Sequence, residues 1–127
     1  MKIIIYPTFE EALFLHAELI NRFGGHSGIR DRGLLESALA RPRSGYYETL
    51  FLQAAALMHS LVLNHCFVDG NKRIAFALTL IFLDMNDVEI SVSTGEGEKF
   101  LIKEVISNKV ELGEIAKWLE KHASKNS

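Results

Sequence analysis

The sequence predicts a mainly α-helical domain: a bundle around a central pair of buried helices, with one or two short strands at its periphery. Three observations carry that reading. Apolar residues recur at helical spacing over most of the 127 residues. Two segments, 49–64 and 71–84, are apolar around almost the whole helical wheel, as in helices buried on most sides. Runs that suit strands are confined to residues 2–6 and 88–92.

Taken in order, residues 2–6 (Lys-Ile-Ile-Ile-Tyr) are β-branched and stop at Pro7, which suits a short strand. Thr8 followed by Glu11 is a capping box, Ala12, Leu15, Leu19 and Phe23 keep helical spacing, and Gly24-Gly25 ends this first helix. Asp31 can cap a second, shorter helix that carries Leu34, Leu35, Ala38 and Leu39 on one face, and Pro42 ends it at about Arg41. Residues 41–48 hold turn formers, two cations and two tyrosines without a helical period, which reads as a surface loop of the kind that touches ligands. The helix over 49–64, with Leu50, Phe51, Ala54, Leu57, Met58, Leu61 and Val62, is the expected centre of the fold. A break at 65–70 separates it from a second apolar helix running from Asn71 to about Asp84. A strand at 88–92, amphipathic segments at 98–107 and 111–122, and a frayed tail at 124–127 complete the chain. There is no repeat, linker or low-complexity tract, so residues 1–127 read as one domain.

Composition excludes several function classes. With 14 basic against 16 acidic residues the net charge is −2, which leaves no polybasic tail for nucleic acid or membrane. Arg30, Arg32, Arg41 and Arg43 are spread over two loops and form no footprint for direct nucleic-acid binding. The longest apolar run, Ile74 to Leu83, is about half of the ~20 residues that span a bilayer. The apolar stretch before Pro7 is too short for a signal peptide, and the single Cys66 has no disulfide partner within the chain, so the protein reads as cytoplasmic. His16, His26, His59 and His122 are scattered, with no Cys or His pair at zinc spacing.

One stretch concentrates the chemistry: His65-Cys66-Phe67-Val68-Asp69-Gly70-Asn71-Lys72-Arg73, polar residues crowded between two apolar helices. An unpaired polar group in such surroundings costs about 1–3 kcal/mol, so the cluster either satisfies itself or serves a ligand. Gly70-Asn71 opens a helix whose free N–H groups and positive dipole end suit an anion, and Lys72 and Arg73 add charge in its first turn. Cations there disfavour the helix alone; a bound phosphate explains them. Asp69 has two readings, a ligand for the magnesium ion that accompanies a phosphate, or a plain N-cap. His65, one short loop away, is a candidate general base. Cys66 reads as a packed thiol, and Tyr46 and Tyr47 either pack their loop or grip a partner peptide.

The segment resembles the motif of the Fic/Doc family, His-x-Phe-x-Asp-(Ala or Gly)-Asn-(Gly or Lys)-Arg, with all seven named positions in agreement. Residues 23–31 and 34–38 are similar to the amino-terminal half of the death-on-curing (Doc) branch, and residues 92–127 are the least similar part. The resemblance implies a Fic/Doc-like helical fold and a set of roles. His65 would take the proton from a target hydroxyl, and Phe67 would anchor the loop in the core. Asp69 would bind Mg, Gly70 and Asn71 would form the backbone cradle for phosphate, and Lys72 with Arg73 would neutralise phosphate charge. Arg41, Arg43, Tyr46 and Tyr47 would belong to the flap that holds the target segment. Lys72 stands where the adenylylating members have a second glycine, Phe76 where they have a second arginine, and Leu63-Asn64 where a Doc protein can carry arginine. The lysine fills space and brings charge where glycine lets phosphate reach the backbone. In the Doc branch it implies a reversed ATP that presents its γ-phosphate. The implied activity is that of a Mg-ATP-dependent protein kinase, a toxin that acts on a threonine of elongation factor Tu and arrests translation until a Phd-type antitoxin neutralises it. Adenylyl transfer and non-catalytic nucleotide or protein binding are the alternatives. The self-inhibitory Ser/Thr-x-x-x-Glu-Gly/Asn segment of some relatives has no complete copy here, since Ser93-Thr94-Gly95-Glu96-Gly97 is one residue short, which implies inhibition in trans.

Overall fold

A computed structural model describes residues 3–125. Helix α1 (Phe9–Phe23) starts at the expected capping box: the Glu11 N–H donates to Thr8 Oγ1 (3.1 Å) and the Thr8 N–H to Glu11 Oε1 (2.8 Å). Helix α2 (Arg32–Ala40) is capped by Asp31, whose Oδ1 accepts from the Leu34 N–H at 2.9 Å. It passes into a single 3₁₀ turn over Arg41–Arg43 that accommodates Pro42 at its start. Helix α3 (Leu50–Leu63) begins with the Thr49 hydroxyl accepting from Leu52 N–H and is the centre of the core. Helix α4 (Asn71–Met85) packs along it, and α6 (Leu112–Lys121) and α2 cover its other sides. Helix α5 (Thr94–Phe100) continues directly into a π-helical stretch, Leu101–Ser107.

The core is one cluster dominated by α3 and α4, including Leu57, Leu61, Ile74, Leu78 and Phe82, each at most 1% exposed. Burial of such side chains contributes about 1.5–3 kcal/mol each and gives these two helices their fixed separation. Thr79, the polar residue within the apolar run of α4, is satisfied by donating to the Ala75 carbonyl at 2.7 Å. No described helix is long and apolar enough to cross a membrane.

Four expectations need correction. Residues 3–6 form no strand, and Lys2 lies outside the described residues. A side chain takes the place of a strand partner: Asn86 Oδ1 accepts from the Ile5 N–H and Asn86 Nδ2 donates to the Ile5 carbonyl, both at 2.8 Å. The strand expected at 88–92 is β1 (Val88–Ile90), and it pairs antiparallel with β2 (Ala123–Lys125), Glu89 opposite Ser124. The expected fraying at 124 and 125 is thus replaced by ladder hydrogen bonds, while 126 and 127 lie outside the described residues. The segment expected from residue 98 starts at Thr94, because Ser93 Oγ caps it by accepting from Glu96 N–H at 3.1 Å; Gly95 and Gly97 hide that turn from a propensity reading. Its end is also looser than an α-helix, with the Asn108 N–H donating to the Lys103 carbonyl five residues back.

Candidate active site

The loop between α3 and α4 is pinned from both sides. His65 lies at φ +50°, a left-handed conformation that non-glycine residues rarely adopt. Arg30 grips the backbone there, Nε donating to the His65 carbonyl at 2.6 Å and Nη2 to the Asn64 carbonyl at 3.0 Å, which also places a cation just past the C-terminal end of α3. Next to it the two segments pair: Ile29 bridges Phe67 antiparallel, the Arg30 and Asp31 N–H groups donate to the Cys66 carbonyl, and the Val68 N–H donates to the Gly28 carbonyl. From the other side the Asn71 amide closes on Phe67, Oδ1 accepting from its N–H (3.0 Å) and Nδ2 donating to its carbonyl (2.9 Å). The Asn71 side chain therefore shapes the loop, which leaves its backbone to the cradle. Phe67 is 1% exposed and stacks on the His16 ring at 3.8 Å and 10°.

Beyond this anchor the chain turns through Gly70 (φ +75°) into α4. A Cβ at Gly70 would lie 3.3 Å from Ile20 Cδ1, so the turn is tight as well as left-handed. Gly70 is the N-cap and has no side chain to offer, so the leading N–H groups of α4 receive no side-chain cap. Of the two readings of Asp69, the N-cap role falls to Gly70. Asp69 accepts from the Gly70 N–H through Oδ1 (2.8 Å) and from the His26 N–H through Oδ2 (3.1 Å). These two bonds, that from His26 foremost, hold its carboxyl below the ordinary aspartate value. The carboxylate keeps lone pairs beyond the two that are used. No group of three or more His, Cys, Asp or Glu side chains gathers to hold a metal among the described residues. A single ionised carboxylate beside uncapped N–H groups and two cations fits a Mg ion that brings phosphate oxygens as its other ligands, and does not fit an all-protein cage.

His65, Asp69, Gly70, Asn71, Lys72 and Arg73 line one groove of about 800 Å³. Phe23, Leu63, Val68, Phe76 and Ile81 give it an apolar wall, and Thr94 and Glu98 approach from α5. Lys72 and Arg73 are exposed, and the Arg73 guanidinium rests 4.5 Å from the centre of the Phe23 ring. Phe76 packs against Gly97, where a Cβ would collide with its ring.

The four loop residues do not line this groove. Arg41 is tied inward, donating through Nε to Tyr47 Oη (2.8 Å) and through Nη1 to Ser60 Oγ (2.9 Å) on α3. Its guanidinium also lies 3.2 Å from His59 Nδ1, and burial together with that charge pushes the His59 pKa down. Arg43 lies over the Tyr6 ring at 5.1 Å, and Tyr6 stacks on Phe82 near the far end of α4. Tyr46, 83% exposed, sets its ring edge against Tyr47. His16, Arg30 and Gly25 are the residues that sequence reasoning missed. His16 carried a readable signal, since it follows Ala12 by four positions on the apolar stripe of α1, and these two are the buried residues of that helix.

The model of the Fic/DOC family matches residues 6–83. "Toxin Doc" of Mycolicibacterium smegmatis is 40% identical over 100 residues, covering 74% of this chain and 77% of the relative. "Protein kinase doc" of Escherichia phage P1 is 36% identical over 85 residues, covering 64% of this chain and 68% of the relative. The match contains the loop, its Arg30 clamp and all of the motif, and the chain belongs to the Fic/DOC family.

Proposed function

We propose that this chain is a Doc-type toxin: a protein kinase that transfers the γ-phosphate of ATP to a Ser or Thr hydroxyl of a translation factor, with elongation factor Tu as the expected target. A Phd-type antitoxin is its expected partner, and the target puts its action in the cytoplasm. The observation that supports this best is Lys72 at the uncapped start of α4, on the same groove as Asp69 and His65. Phosphoryl transfer asks for positioning and charge neutralisation more than for covalent chemistry. The first N–H groups of α4 and the cations of Lys72 and Arg73 meet phosphate oxygens. Asp69 is the residue that would hold Mg, which would supply charge neutralisation on the phosphates. His65 takes the proton of the incoming hydroxyl, at a backbone position that Arg30 fixes. Relatives named as a toxin and as a protein kinase support the same reading.

The test is the intact mass of purified elongation factor Tu after incubation with this protein and Mg-ATP, beside a folded His65→Ala control. The expected result is a gain of about 80 Da, one phosphoryl group, that is lost in the control. A gain of about 329 Da would replace the kinase by an adenylyltransferase. No gain would remove elongation factor Tu as the target, and full biological effect of His65→Ala would make the domain a binding module.

A further inference from the structure

We propose that His16 is a positioning residue for the Asp69 carboxylate, acting through the peptide unit that joins Asp69 to Gly70. This rests on the reading of Asp69 as the Mg-binding residue. His16 sits on α1, 4% exposed, 53 positions from the loop it touches. Its Nε2 is 2.8 Å from the Asp69 carbonyl oxygen, and since a carbonyl only accepts, Nε2 carries the proton and donates. In a trans peptide the carbonyl and the following N–H point in opposite directions, so holding the Asp69 carbonyl aims the Gly70 N–H the other way. That N–H is the group that binds Asp69 Oδ1 at 2.8 Å. The same imidazole lies flat on Phe67, so His16 holds the loop two residues before the carboxylate and at the peptide after it.

Two variants of the full chain separate the hydrogen bond from the stacking. His16→Phe keeps a ring on Phe67 and loses the donor, whereas His16→Gln keeps an N–H donor at similar reach and loses the ring. The first readout is amide hydrogen exchange of the ligand-free protein. In His16→Phe the Gly70 and His26 amides, both held by the Asp69 carboxylate, should exchange about tenfold faster while amides in the middle of α3 keep their rate. The second is titration with a non-hydrolysable ATP analogue, in which the Mg concentration at half-saturation should rise about tenfold in His16→Phe and stay within about threefold in His16→Gln. Unchanged Gly70 and His26 exchange in His16→Phe overturns the proposal, as does a His16→Gln variant as impaired as His16→Phe. Loss of protection spread equally through α3 also overturns it, because His16 would then serve the fold in general. Nucleotide binding by the wild-type chain that ignores Mg or Asp69→Asn refutes the Mg reading instead, and the amide exchange still decides whether His16 holds the carboxylate.

Discussion

Gly25 offers a sharp test of how the site is assembled, because a side chain added there, in the loop between α1 and α2, would run into the Asp69 carboxylate. Its φ is +115°, and a Cβ built on it would lie 2.8 Å from Asp69 Oδ2 and 3.2 Å from Ile20 Cδ1. Gly24 provides the matched control, with φ +88° and ψ 175° and open space where a Cβ would go. Gly24→Ala therefore carries the backbone cost alone, about 1–3 kcal/mol for an L residue in this region. At about 2.1 cal/mol/K per residue, a chain of 127 residues unfolds with about 270 cal/mol/K, so this cost lowers Tm by about 4–11 °C. Gly25→Ala carries a similar backbone cost and a collision as well. Oδ2 must retreat by about half an ångström to restore ordinary contact, which opens its 3.1 Å bond from the His26 N–H beyond hydrogen-bond range.

Losing that bond frees the carboxylate to turn away from the groove, so affinity for the ligand that it serves should fall about tenfold. Thermal melts and Mg-dependent titration of an ATP analogue should show both variants with lowered Tm and only Gly25→Ala with weakened binding. Equal binding by the two variants would refute the reasoning, since the collision with Asp69 would then have no bearing on the ligand.

Three other outcomes follow from the same geometry. Asp69 has its pKa lowered in the folded chain, so its ionised form stabilises the fold above the ordinary aspartate pKa of about 4, and that contribution fades as pH falls through the lower folded value. Denaturant melts should show wild type more stable than Asp69→Asn by a constant margin at neutral pH, with the margin shrinking below about pH 4; a margin that does not change would count against the two N–H bonds. Gly97→Ala should destabilise the fold because its methyl meets the Phe76 ring, whereas Gly95→Ala, with open space in the same helix, should raise stability by about 0.5–1 kcal/mol, both read by thermal melts. Cys66 is fully buried and burial raises its thiol pKa, so a thiol reagent at pH 7–8 should react only as fast as the chain unfolds; rapid labelling of the native protein would contradict this.

What could be read from the sequence is what local physics decides. Thr8 and Glu11 close a capping box within one turn, Asp31 caps α2 three residues on, and the apolar wheels of α3 and α4 need no partner to be recognised. The candidate site was equally local, since a loop followed by a helix start brings His65, Asp69 and Lys72 together within nine residues. What could not be read depends on partners far along the chain. Residues 3–6 have the β-branched composition of a strand, yet their partner is the amide of Asn86, 81 positions from Ile5. Ala123–Lys125 has little strand propensity and is ordered by pairing with Val88–Ile90. Arg41 and Tyr47 share a loop with Tyr46, but nothing local signals that Ser60 holds Arg41 and Arg41 holds Tyr47 while Tyr46 stays exposed.

The same division of labour runs through the groove itself. The residues with chemistry are consecutive, but each is placed by something distant: His65 by Arg30, Phe67 by His16, Asp69 by the His26 N–H. A motif of this kind is therefore incomplete without residues 16–31, and the family match, which starts at residue 6, includes both parts. It ends at residue 83, whereas Thr94, Glu98, Leu101 and Ile106 of the opposite wall lie beyond it. Substitutions at Thr94 or Glu98 leave the proposed phosphate cradle intact and alter the surface that faces it. They should change which ligand or partner segment the groove accepts, while substitutions at Arg30 or His16 should weaken the chemistry for every ligand alike.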